Sequence, residues 1–396
     1  MRKVMDSMCG GMTTRLVLLV MGLWMPAMAA VAQSITPRAP DIAGSSYILM
    51  DARTGHVIME QNADEALPPA SLTKMMTAYV AEVEIDEGNL SLDDEVYISE
   101  KAWRTQGSKM FVDVDSNVPV RDLMRGIIIQ SGNDASVAMA EHIAGSEEAF
   151  ADLMNQHAEQ LGMRDSSFMN ASGLDDGGSE NLMSARDLAI LAQAKIMDHP
   201  ERYEVYAERE FTYNGITQPN RNTLLFRDDS VDGIKTGWTS QAGYCLVASA
   251  ERDGMRLISV VMGTASEDAR AIETQKMLNY GFRFFESNQF YSAGEVLESA
   301  RVWSGAENNV DLGIAEDVYL TVPRGASDDM QATLDIPDTL RAPIEAGQVI
   351  GSVALTLNDE ELYNGEVVAI NAVERGGFFK RLIDALTLFF TNLFRG

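Results

Sequence analysis

Leu67-Pro68-Pro69-Ala70-Ser71-Leu72-Thr73-Lys74-Met75-Met76 sets a hydroxyl and an amine three residues apart, just after two prolines. Prolines suit the entrance of a helix and not its interior. Apolar residues then recur at helical spacing to about residue 83, which puts Ser71 and Lys74 on one helix face within reach of each other. A lysine whose pKa is lowered by desolvation and a neighbouring cation can take a serine proton at neutral pH. Taken alone, Ser71 reads more readily as an N-cap after two prolines, although a capping box wants Glu or Gln where Lys74 stands.

Histidine is a poor candidate for the base. The chain holds only His56, His142, His157 and His199, and no serine sits in a G-x-S-x-G elbow. Two further short motifs follow in order. Ser131-Gly132-Asn133 interrupts a helical region and puts a second hydroxyl and an amide on a turn; by itself it reads as a turn with an N-cap. Lys235-Thr236-Gly237 opens a strand-rich segment, where lysine and threonine can meet a substrate carboxylate and glycine lets backbone approach closely. No two of the histidines and cysteines fall at a metal-ligand spacing, so neither a metal nor a cofactor is implied.

Outward from these motifs, residues 46–60 read as a hairpin around Asp51-Ala52-Arg53-Thr54-Gly55. Helical periodicity follows over 120–130, 134–144 and 147–161. Residues 244–250 and 255–262 form a second hairpin through Arg252-Asp253-Gly254, and 271–285 a closing helix. Strands, helices, strands and a helix predict an α+β domain over 38–288, with an antiparallel sheet built from both ends and a helical region inserted. Beyond it, Val318-Leu320-Val322, Val353-Leu355-Leu357 and 367–373 predict a small all-β domain over 289–375.

The termini carry addressing signals. Arg2, Lys3 and Arg15 precede an apolar run over 16–25 and the small residues Ala27-Met28-Ala29 and Ala30-Val31-Ala32, the layout of a secretory signal over 1–32. Its run is too short to span a bilayer. At the other end, Phe378, Phe379, Leu382, Ile383, Leu386, Phe389, Phe390, Leu393 and Phe394 fill one side of a helix over 376–396, with Leu388 the one large apolar residue out of place. A core helix is the ordinary reading of such a stripe. The terminal position, the phenylalanines and the local Arg375, Lys380, Arg381 and Arg395 in an acidic chain favour an in-plane membrane anchor.

The 396 residues are 46% hydrophobic and 23% charged, which excludes a disordered polymer. A net charge of -28 makes nucleic acid an unsuitable partner. With Cys9 in the removable segment, Cys245 stands alone and no intramolecular disulfide forms.

The three motifs in this order, with Ala242-Gly243-Tyr244, Met255-Arg256-Leu257-Ile258-Ser259 and Gly281-Phe282-Arg283-Phe284-Phe285-Glu286, resemble the periplasmic D-alanyl-D-alanine carboxypeptidases, the low-molecular-mass penicillin-binding proteins of the penicillin-binding protein 5 type. The resemblance covers nearly the whole chain. It implies the serine β-lactamase and penicillin-binding-protein fold, acyl transfer from peptidoglycan pentapeptide stems, inhibition by β-lactams, and a place on the outer face of the inner membrane. By position, Ser71 is the nucleophile, Lys74 its base and Ser131 a proton relay. Asn133 binds the substrate amide and holds Lys74, Lys235 and Thr236 take the terminal carboxylate, and the backbone of Ser71 and Trp238 forms the oxyanion hole. Arg270 occupies the place of a second carboxylate-binding arginine. Trp238 follows Gly237 where the familiar member has histidine. Endopeptidase action on D-Ala crosslinks uses the same residues; a β-lactamase would need an E-x-x-L-N-like loop, which is absent here, and a non-enzymatic module would have damaged motifs.

Overall fold

The computed structural model describes residues 36–174 and 180–395. Strand β1 (Ser46–Asp51) is buried at every position, and β2 (Val57–Gln61) returns along it through the expected turn, where the Asp51 carboxylate accepts the Arg53 and Thr54 amides at 2.8 and 3.1 Å. Strands β3 (Val231–Thr239), β4 (Gly243–Arg252) and β5 (Met255–Thr264) complete an antiparallel sheet in the order β2–β1–β5–β4–β3. The two ends of the catalytic segment thus meet between β1 and β5, which pair from Ser46 with Met262 to Asp51 with Leu257.

Side chains alternate across a sheet, and here both faces are covered. Ile48, Met50, Val247 and Val260 join one core with helices α1 (Lys74–Asp86), α2 (Val120–Ile129), α3 (Asn133–Ala144), α4 (Glu147–Leu161) and α5 (Ala185–Asp198). Tyr47, Leu49, Leu246 and Val261 join the other, against Met277 and Leu278 of α6 (Glu267–Phe284). The mixed fold expected from the element order is the one observed. Helix α6 starts earlier than the periodicity suggests, because Ser266 caps it by accepting the Ala269 amide at 3.0 Å. Helix α5 is an addition to the elements expected from periodicity; its cap is Ser184, which accepts the Asp187 amide at 3.1 Å.

The strand Phe285–Tyr291 leaves α6 directly and pairs with Val318–Pro323, so the expected division at 288/289 falls inside a strand. The rest of the β region is a six-stranded sheet around Val302, Val310, Leu312, Val353 and Val367. Thr54 Oγ1 meets Thr321 Oγ1 at 2.6 Å, and the Arg53 guanidinium lies 4.4 Å from the Tyr319 ring centre, tying the β1–β2 turn to this region.

The terminal helix α7 (Phe378–Arg395) docks by its polar side. Asp384 accepts the Ser304 amide at 2.9 Å, and Lys380 donates to Asn308 Oδ1 at 2.6 Å. Leu388, out of place in the sequence pattern, is half-buried in a crevice with Trp303 and Arg341. Phe378, Phe379, Leu382, Ile383, Leu386, Phe389 and Phe390 are exposed. Among the described residues no helix is long and apolar enough to cross a membrane. The secretory-signal segment 1–32 lies outside the described residues.

Candidate active site

Pro68 and Pro69 lead into a short 3-10 turn, Ala70–Thr73, that runs straight into α1. Ala70 takes a left-handed backbone (φ +50°) to make this entrance, at a cost of about 1–2 kcal/mol for a residue with a Cβ. The N-cap of α1 is Thr73, without a side-chain cap bond, so the N-cap reading of Ser71 does not hold. Its hydroxyl is instead partnered by Lys74, whose Nζ stands 3.1 Å from Ser71 Oγ and 2.6 Å from the Ser172 carbonyl oxygen.

Lys74 is 1% exposed. Burial lowers its pKa to about 7, the Arg221 charge helps, and Asp134 opposes. Near neutrality much of this amine is therefore unprotonated and able to accept the Ser71 proton.

Ser131 sits between α2 and α3, also with a left-handed backbone (φ +63°). The N-cap of α3 is Gly132, with no side-chain cap bond, so the hydroxyl of Ser131 is not spent on capping. It lies 2.9 Å from Lys235 Nζ, which also donates to the Thr236 carbonyl at 3.0 Å. Lys235 is buried, and its pKa is pushed well down by that burial and then by Lys74, Arg221 and Arg270. The motifs from three separate regions thus converge on two serines and two buried lysines.

Close packing makes the convergence possible. A Cβ on Gly237 would stand 2.7 Å from the Pro69 carbonyl oxygen and 3.1 Å from Leu72 Cγ, so glycine alone lets β3 lie against the turn bearing Ser71. Asp134 accepts the Met110 and Phe111 amides at 2.8 and 2.9 Å, fixing the loop that brings Gly107 and Ser108 to the cleft.

The resulting cleft has a volume of about 600 Å³ and is lined by Ser71, Asn133, Leu174, Arg221, Trp238 and Gln241 among others. Trp238 is 55% exposed, its ring 5.8 Å from that of Tyr244. One expected arrangement differs. Asn133 lines the cleft, but its Nδ2 donates to the Gln106 carbonyl at 2.6 Å, and it is the Ser172 carbonyl that holds Lys74. Arg270 is 6% exposed, donates to the Gly237 carbonyl at 3.3 Å and pairs with Glu267 at 3.0 Å, and its charge is among those that lower the pKa of Lys235.

Arg221, Ser172 and Asp134 bear on Lys74 and the cleft although the sequence motifs do not single them out. Arg221 carries one signal: it is a cation between Asn220 and Asn222, whose buried side chains bind the Glu208 and Gly233 carbonyls at 3.0 and 2.7 Å and so present it. A backbone carbonyl such as that of Ser172 has no side-chain signature.

The chain is similar to known proteins. Residues 33–266 match the family D-alanyl-D-alanine carboxypeptidase, and residues 285–375 match the penicillin-binding protein 5 C-terminal domain. The chain is 44% identical over 370 residues to D-alanyl-D-alanine carboxypeptidase DacA of Escherichia coli K12, covering 91% of each, and 42% identical over 380 residues to DacC of the same strain, covering 94% of each. Penicillin-binding protein 5 from Haemophilus influenzae is similar in structure, with a TM-score of 0.80 and 43% identity over 86% of this chain and 100% of that one. Penicillin-binding protein D2 from Listeria monocytogenes in its ampicillin-bound form gives a TM-score of 0.58 at 31% identity, over 62% of this chain and 100% of that one. The chain belongs to the D-alanyl-D-alanine carboxypeptidase family of serine penicillin-binding enzymes.

Proposed function

We propose that this chain removes the terminal D-alanine from peptidoglycan pentapeptide stems through an acyl-enzyme on Ser71, limiting crosslinking and helping to set cell shape. The observation that carries the reading is the 3.1 Å approach of Ser71 Oγ to a buried lysine with a pKa of about 7. Neutral Lys74 takes the hydroxyl proton as Ser71 Oγ attacks the carbonyl of the penultimate D-alanine. The oxyanion is received by the backbone N–H groups of Ser71 and Trp238, donors of a kind worth roughly 2–4 kcal/mol in the transition state. The proton passes from Lys74 by way of Ser131 to the departing amine, and free D-alanine leaves. Water then hydrolyses the ester and returns Ser71 to its starting state.

Lys235, Thr236 and Arg221 bind the terminal carboxylate of the substrate, with Arg270 beside them holding the Gly237 carbonyl. Asn133 and Gly237 border the path of the peptide, and Trp238 gives it an apolar wall. β-Lactams acylate the same hydroxyl.

The catalytic body runs from residue 38 to the end of α6, the β region from the strand Phe285–Tyr291 to residue 375, and the anchor over 376–396. The exposed apolar stripe of α7 lies in the outer leaflet of the inner membrane and holds the enzyme on its periplasmic face. The deciding experiment measures D-alanine release from a peptide ending in D-Ala-D-Ala, with Ser71→Ala as control. Release lost in the variant supports the reading; cleavage of crosslinked dimers without release from the pentapeptide would reassign the enzyme as a D,D-endopeptidase.

A further inference from the structure

A second crevice of about 530 Å³ opens where α6 passes into the strand Phe285–Tyr291. It lies beside the β4–β5 turn, at the opposite end of those strands from Gly243, which pairs with Thr239 beside the catalytic cleft. In a chain of net charge -28, three arginines meet here, Arg252, Arg283 and Arg324.

Two of them are rigidly placed. Arg252 donates to Asp228 at 2.6 Å and Ser230 at 2.9 Å, with its guanidinium 4.6 Å from the Phe282 ring centre. Arg324 donates to the Phe282 and Phe285 carbonyls at 2.9 and 3.1 Å, while its other terminal nitrogen stands 3.8 Å from Glu286. Glu286 is itself engaged by the Gly325 amide and the Ser327 hydroxyl, both at 3.1 Å. Arg283 is exposed and, among the described residues, has no carboxylate partner; its guanidinium lies 5.5 Å from the Phe284 ring centre. Asp253 is the other carboxylate of the lining. Ser287 also lines the crevice, and among the described residues its buried hydroxyl has no hydrogen-bond partner. An orphaned buried hydroxyl is costly unless something fills its bonding capacity.

We propose that this crevice binds a phosphate monoester, its oxyanion held by Arg283, Arg324 and Ser287 and its organic part lying on Phe282 and Met255. Guanidinium forks match the oxygens of phosphate, and a 530 Å³ space exceeds what a free phosphate ion fills. No residue of the crevice belongs to the catalytic machinery.

The test is equilibrium dialysis of the mature chain against glycerol 3-phosphate and, separately, inorganic phosphate, with ionic strength held by chloride. Glycerol 3-phosphate binds saturably, one per chain, and more tightly than inorganic phosphate. Arg283→Gln, on an exposed side chain, weakens it about tenfold, and Ser287→Ala weakens it less, with D-alanine release unchanged in both. Saturable binding of inorganic phosphate at equal or greater strength would overturn the ester assignment in favour of a free-ion site. Non-saturable binding, or binding equal in Arg283→Gln, would overturn the site altogether.

Discussion

Lys74 and Lys195 are both buried lysines of one domain, on helices α1 and α5 of the same core. Lys195 Nζ pairs with Glu82 at 2.6 Å in a site where both side chains are almost wholly excluded from water, and Tyr206 OH donates to the other oxygen of Glu82 at 3.3 Å. Among the described residues Lys74 hydrogen-bonds to a hydroxyl and a carbonyl and to no carboxylate, with Arg221 pressing its pKa down and Asp134 opposing. Burial lowers both pKa values, but Glu82 supports the charged form of Lys195, whereas Arg221 presses Lys74 further toward the neutral base. A buried lysine with a carboxylate at bonding distance is a strut; one left against a serine hydroxyl is a reagent.

The largest effects separate these roles. Lys74→Ala lowers the rate of Ser71 acylation about 10³-fold, as loss of a general base does, while the melting temperature holds or rises. Lys195→Met does the reverse. It leaves Glu82 buried and unpaired, costs about 3–5 kcal/mol of stability in denaturant unfolding, and leaves turnover per folded molecule unchanged. Glu82→Leu added to Lys195→Met recovers most of that loss. Equal losses of turnover in Lys74→Ala and Lys195→Met at unchanged stability would erase the contrast.

A pH profile sharpens it further. The base must be unprotonated, so kcat/KM for D-alanine release climbs with pH through about 7. Arg221→Gln removes a cation that lowers the Lys74 pKa, so the climb moves to higher pH, and KM for a D-Ala-D-Ala peptide rises about tenfold as the carboxylate loses a charge-assisted partner. Arg270→Gln, whose guanidinium is shared with Glu267 and the Gly237 carbonyl, changes KM less. Folding is linked to the same group. Between pH 7 and its ordinary value of 10.5, Lys74 binds a proton in the unfolded chain that it has largely released in the folded one, so its contribution to stability grows as pH rises through that window. Lys74→Met flattens that part of the stability curve; an unchanged slope would mean the amine is charged in the native state.

Much of this architecture is legible in the amino-acid sequence, for identifiable reasons. Side-chain chemistry at fixed spacing exposes Ser71, Lys74, Ser131 and Lys235, and apolar periodicity exposes both hairpins and α1 through α4. What escapes has no local signature. The Ser172 carbonyl is brought to Lys74 from a loop far along the chain, and the left-handed turn at Ala70 is imposed by packing on a residue type that does not advertise it. Leu388 reads as misplaced because the pattern gives α7 one apolar side, when a half-buried leucine and a buried aspartate fasten its other side to the β region.

That fastening offers the weakest test of the same contrast, at a buried acid in place of a buried base. Burial raises the pKa of Asp384, but the Ser304 amide and Lys380 outweigh it and hold the carboxyl below its usual value. The stabilisation is therefore present above the ordinary carboxylate range and is lost as pH falls through the lowered pKa. Asp384 is a paired group like Lys195, yet Lys380 is partly exposed and bound to Asn308 as well. Water screens such a pair, so Asp384→Asn costs less than about 1 kcal/mol at pH 7 and leaves turnover unchanged. What changes is local: amide hydrogen exchange along α7 quickens, while exchange in the β1–β5 sheet does not, because the Asp384 side chain reaches the backbone of the β region through the Ser304 amide. Unchanged exchange along α7 in the variant would mean that Leu388 and the Lys380–Asn308 bond dock the helix without Asp384, and Leu388→Ala would then be the substitution that loosens it.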